Sequence, residues 1–230
     1  MKVAALYDVH GNVHALEAVV AELGDADIVL FGGDLVSGPL PRETLELARS
    51  LDNAQFILGN ADLLTKQLPR PEWDEARRWV EAQFAEDEIA WLAGLSFSWS
   101  RDDTLYVHAN PVDVDAIVTE RTADDRVREL VSGVRENRVV TGHVHMQFER
   151  VVDGTRWVGA GSVGMPYADR PGAYWALVTP EQVEFRRTEY DLERAAAAIR
   201  PSGYPGANEF AAENVLTCPT AEQALAVFSP

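Results

Sequence analysis

Five short apolar runs in this chain each stop at a glycine or polar loop that carries Asp, Asn or His. Residues 3–7 lead to Asp8-Val9-His10-Gly11-Asn12, 27–31 to Gly32-Gly33-Asp34, and 55–58 to Gly59-Asn60. Residues 105–107 lead to His108-Ala109-Asn110, and 139–141 to Gly142-His143-Val144-His145. Runs this short, rich in Val, Ile, Leu and aromatics, read as buried strands. Helical patterns separate them. Val13, Leu16, Val20 and Leu23 share one helical face, and 42–51 and 122–134 also read as helices. Strands alternating with helices predict an α/β fold with a parallel sheet. The carboxyl ends of such strands converge on one edge, so polar residues distant in sequence are expected to meet there.

The gathered set holds two carboxylates (Asp8, Asp34), one amide (Asn60) and four imidazoles (His10, His108, His143, His145). That mixture of nitrogen and oxygen donors suits Mn, Fe, Co, Ni or Zn. A dedicated Mg or Ca cage would be almost all oxygen. The fifth histidine, His14, falls in the first turn of a helix and reads as a solvated residue. The formal net charge is −17, with no Lys/Arg run to offset it, which argues against duplex nucleic acid as a partner. If the substrate is a phosphate ester, it needs a local cation, which bound divalent metals would supply.

In order and spacing, Asp8-x-His10, Gly33-Asp34, Gly59-Asn60, His108 and Gly142-His143-x-His145 resemble the five motifs of the calcineurin-like metallophosphoesterases, over roughly residues 1–165. The loop from Gly33 to Pro39 and Gly161-Ser162-Val163-Gly164 are similar to the small bacterial and archaeal phosphodiesterase-like branch. The Arg-Gly pair of the eukaryotic Ser/Thr phosphatases is missing. The resemblance implies a four-layer αββα sandwich of two mixed β-sheets flanked by helices. It implies a first divalent ion on Asp8, His10 and His145, a second on Asn60, His108 and His143, and Asp34 bridging both. Mn is the expected metal, with Fe, Ni, Co or Zn as alternatives. It implies that Asp34, Asn60 and His108 take part in catalysis, in which a metal-bridging hydroxide attacks the phosphorus of a small phosphate ester, expected to be a phosphodiester. A dinucleoside polyphosphate or a phosphoprotein is the alternative substrate. A non-catalytic metal-binding scaffold of the same fold is the reading from another class. Most members follow Gly-Asn with His, a residue thought to assist the leaving group. This chain has Ala61-Asp62 instead, which favours substrates with good leaving groups, or protonation by another side chain or water.

Around that set, Asn12, Arg42 and Tyr167 are candidate substrate contacts, with Arg170 as a further cation, and Asp62 is a candidate acceptor for the outer nitrogen of a ligating histidine. Residues 72–93 read as helical, with Trp73, Trp79, Val80, Phe84, Trp91 and Leu92 expected in the core. They belong to a cap-like helical insert at about 63–100 within a domain spanning 1–200. Residues 156–158, 173–178 and 183–187 predict an antiparallel meander, 191–200 a helix, and 201–230 a C-terminal extension packed on the surface. The chain has one cysteine, no long apolar stretch and no signal-peptide core. A cytoplasmic, membrane-independent protein is expected, with a homo-oligomer compatible with the sequence.

Overall fold

The computed structural model describes residues 1–66 and 71–228. In chain order its strands are β1 (Val3–Leu6), β2 (Ile28–Phe31), β3 (Ala54–Phe56), β4 (Ser98–Arg101), β5 (Thr104–Val107), β6 (Arg138–Thr141), β7 (Gln147–Val152), β8 (Thr155–Ala160), β9 (Ala173–Val178) and β10 (Val183–Thr188). The helices are α1 (Val13–Glu22), α2 (Pro41–Arg49), α3 (Pro71–Glu81), α4 (Glu86–Ala93), α5 (Asp124–Val131), α6 (Leu192–Ile199), α7 (Ala207–Phe210) and α8 (Ala221–Phe228). A π-helical turn, Ala211–Leu216, continues α7.

The strands form two mixed five-stranded sheets, ordered β10-β9-β1-β2-β3 and β4-β5-β6-β8-β7. Alternation along β1 shows how they stack. Val3, Ala5 and Tyr7 point to the second sheet and pack with Tyr106, Val140 and Val158. Ala4 and Leu6 point the other way, among Leu16, Leu45, Val80 and Leu92 from α1 to α4. The outer face of the second sheet, with Val139 and Trp157, is covered by Val127 and Leu130 of α5 and Leu225 of α8. Helix, sheet, sheet, helix gives four layers. No helix of the described residues is long and apolar enough to cross a membrane.

The structure corrects three expectations. The anticipated meander is split between the sheets: β8 lies parallel to β6 in one, while in the other β9 pairs antiparallel with β1 and β10 pairs antiparallel with β9. Strands β4 and β7 were not expected at all. Both are sheet edges whose exposed polar residues mask the alternation. Trp73 is not core, being 48% exposed on α3, whereas Val80, Phe84 and Leu92 are buried as expected. The part of the insert at 67–70 and the last two residues of the extension lie outside the described residues.

Candidate metal centre

The parallel strands β1, β2, β5 and β6, and the end of β3, deliver their following loops to one edge. There the chain takes a costly conformation. Asp8, His10, Asp34, His143 and His145 all have positive φ, between 47° and 65°. Asp and His tolerate this left-handed region better than most residues, but such conformations concentrate where a site over-determines them. The first two loops are also laced together, with Asp8 N on Gly33 O (3.1 Å) and His10 N on Asp34 O (3.0 Å). Gly33 (φ +97°) allows the closest approach: a Cβ there would lie 2.6 Å from Gly59 Cα and His108 Nδ1.

Two groups of ligand atoms result, Asp8/His10/His145 and Asp34/His108/His143, each gathered within 4.8 Å. Each takes residues from both sheets. Asp34 turns one oxygen to each group, Oδ1 at 3.4 Å from His108 Nε2 and Oδ2 at 3.8 Å from His10 Nε2. Asn60 Oδ1 lies 3.0 Å from His108 Nε2, adding an amide oxygen to the second group.

The hydrogen bonds behind the imidazoles decide what the front must hold. His10 Nδ1 meets Ser37 O at 3.0 Å, His145 Nδ1 meets Met165 O at 2.8 Å, and His108 Nδ1 meets Gly32 O at 3.0 Å. A carbonyl accepts only, so these Nδ1 atoms carry protons and each Nε2 of a neutral ring presents a lone pair. His10 Nε2 and His145 Nε2 nonetheless face each other at 3.2 Å. Two lone pairs at that distance repel unless a proton or a metal cation lies between them. Asp8 Oδ1, 3.5 Å from His145 Nε2, is fully buried without a hydrogen-bond partner. An orphaned carboxylate oxygen beside facing imidazoles is what a divalent first-row metal satisfies, so the residues present fit the implied ions. His143 is reversed: its Nε2 meets Asp115 O at 2.9 Å, leaving Nδ1 for the second group.

The acids and imidazoles also balance one another's charge. Burial opposes the charged form of Asp34, but His108 and His10 outweigh it and hold its carboxyl well below the usual range. Burial likewise opposes His108, yet the Asp34 carboxylate raises it to about 10. His10 is lowered by burial and by His145 beside it.

The other predicted residues are placed differently. Arg42 does not line the cavity in front of the ligands. Its guanidinium pairs with Glu88 (3.1 Å), donates to Gln83 O and stacks on Phe84, because α2 faces the α3–α4 hairpin there. Asn12 is fully buried and bonded within the fold: Oδ1 caps α1 by accepting from Ala15 N, while Nδ2 donates to Gly164 O and the Tyr190 hydroxyl. Tyr167 stacks on the His145 ring, centroids 5.0 Å apart, and lines a separate hollow behind it with Arg170. Asp62 takes no histidine proton. It accepts instead from the main-chain N–H groups of Asp34, Leu35 and Gly59, at 2.8 to 3.1 Å. Burial and the Asp34 charge push it up to about 7.

Residues 1–182 match a family described as the calcineurin-like phosphoesterase superfamily domain. No curated protein matches. Among solved structures, a metallophosphoesterase from Sphaerobacter thermophilus is similar over 94% of this chain and 100% of its own, at 26% identity and a TM-score of 0.77. A hypothetical protein from Pyrococcus horikoshii OT3 is similar over 96% of this chain and 99% of its own, at 20% identity and a TM-score of 0.80. A putative diadenosine tetraphosphatase shares the fold more loosely, at 19% identity and a TM-score of 0.55 over 82% of this chain and 94% of its own.

Proposed function

The chain belongs to the calcineurin-like phosphoesterase superfamily, and from that premise we propose that it is a dinuclear metal-dependent phosphodiesterase working with Mn in the cytoplasm. The observation that carries the reading is the facing pair His10 and His145, 3.2 Å apart, beside the orphaned Asp8 oxygen. When bound, the ions would supply Lewis acidity to the phosphoryl group and to water.

The chain's own residues prepare that chemistry. Carbonyls behind His10, His108 and His145 fix ring orientation and tautomer. Asp8 Oδ2 accepts from His143 N at 2.8 Å, so one carboxylate ties the first loop to the fifth. Asp34 Oδ1 is held by Ala61 N at 2.8 Å, which keeps its other oxygen toward His10. Ala61 brings only a main-chain N–H to a position where most of the family has a proton-donating imidazole. Leaving groups that depart as stable anions are therefore favoured, and an aryl phosphodiester is the first substrate to assay.

The test is a matrix of Mn, Fe, Co, Ni and Zn against phosphodiesters, phosphomonoesters, a dinucleoside polyphosphate and a phosphoprotein, on purified protein. The aryl diester with Mn is expected to turn over fastest. Asp34→Asn, which keeps shape and loses charge, is expected to lower kcat at least about a hundredfold. Wild-type activity in that variant, or no metal bound by the native protein, would sink the proposal.

A further inference from the structure

In front of the ligands lies a cavity of about 580 Å³, and its outer wall is not what a phosphate needs. Trp73 of α3 and Tyr204, from the segment between α6 and α7, both line it, with Ala61, Ala76 and Met165 completing an apolar surface. Tyr204 is fixed from behind, its ring edge-on to Trp79 at 5.5 Å and 80°. Trp73 is 48% exposed although large aromatics are seldom left so open. Asn60 and Ala61 line the same cavity as this wall.

The charged groups around the cavity are already matched. Arg77 is held by Asp74 (3.1 Å) and Glu81 (2.6 Å), and Lys66 by Asp115 (3.0 Å). Past the wall, an adjoining hollow that shares Trp73 and Tyr204 carries Glu75, Glu209 and Glu213 and, among the described residues, no cation. Among the described residues, a second phosphate would meet no unmatched positive charge on this path and three carboxylates at its end.

We propose that the substrate carries a single phosphate next to a flat aromatic ring, and that Trp73 and Tyr204 hold this ring while the phosphate lies at the ligand groups. The proposal rests on the phosphoesterase reading and narrows its substrate. Stacking on such side chains tolerates any flat ring, so the shared chemistry is an aryl or nucleoside ester.

The experiment measures inhibition of aryl phosphodiester hydrolysis by the Mn-loaded full chain, using ethyl phosphate, phenyl phosphate, uridine monophosphate and uridine diphosphate at constant unbound Mn. Both ring-bearing monophosphates are expected to bind about tenfold tighter than ethyl phosphate. Trp73→Ala and Tyr204→Ala should each pull that ratio toward one, and Trp73→Phe and Tyr204→Phe should restore it, with thermal melts showing that every variant is folded. Uridine monophosphate binding tighter than phenyl phosphate would identify the ring as a nucleobase, and equal binding would identify it as any aryl group. A ratio of one in the native protein, or one unchanged in both alanine variants, overturns the ring site. A tenfold tighter diphosphate overturns the single-phosphate limit. Absence of all hydrolysis with every metal would instead bring down the phosphoesterase reading itself.

Discussion

Asp62 accepts three main-chain N–H groups, two from the loop after β2 and one from the turn after β3. It thereby sets the spacing between Asp34 and Asn60 without joining either ligand group. Asp62→Ala leaves three buried donors without an acceptor, and a loss of about 3 kcal/mol is expected in urea denaturation, with weaker Mn binding in parallel. Unchanged stability and Mn affinity would remove this role from Asp62. The seven candidate ligands were readable in the sequence because each follows an apolar run and each is a donor type. Asp62 was noticed for its position, yet its partners are main-chain atoms 27 and 28 residues earlier, which no side-chain pattern announces. Asn12 and Arg42 show the reverse. Both are polar residues near the motifs, and both have partners within the fold, Asn12 in a helix cap and Arg42 in Glu88.

At the level of elements, the buried strands were legible and the edges were not. β1, β2 and β6 are almost wholly buried; β1 and β2 read as continuous apolar runs, and β6 carries Val139-Val140 at its centre. β4 and β7 have partners on one side only, so their sequences, Ser-Trp-Ser-Arg and Gln-Phe-Glu-Arg-Val-Val, answer to solvent as much as to the core. The partition of β8 and β9 between sheets is set by the turn through Gly161 and by tertiary packing, neither of which has a periodic signature. The C-terminal helix has a definite place in this scheme. Leu225 of α8 is 3% exposed against the second sheet, and Phe228 lies 6.0 Å from Tyr167, which in turn stacks on His145. Leu225→Ala is expected to cost about 2–4 kcal/mol in chemical denaturation. A cost below about 1 kcal/mol would show that α8 contributes little to the core.

For the whole molecule, a net charge of −17 makes bound cations a stabilising presence, and their effect depends on pH in a definite sense. Without metal, His108 has a pKa of about 10 in the folded protein against 6.5 for an unperturbed imidazole. A raised folded pKa contributes stability that is fully present below about pH 6.5 and disappears as pH climbs through about 10. Metal binding requires the neutral ring and strengthens as protons leave. The rise in Tm on adding Mn is therefore expected to be larger at pH 9 than at pH 6, measured by thermal melts of chelator-treated and Mn-loaded protein. An equal or smaller rise at pH 9 would show that no proton is exchanged for metal at this site. Each ligand group also spans both sheets, and this has a consequence in time. A chain emerging from the ribosome presents Asp8, His10, Asp34 and Asn60 early, but His108, His143 and His145 arrive only after more than a hundred residues. Neither ligand group is complete until then, so under the proposed two-metal reading capture of the ions would come late in synthesis, and a growing chain would be spared early commitment to whichever ion is most abundant.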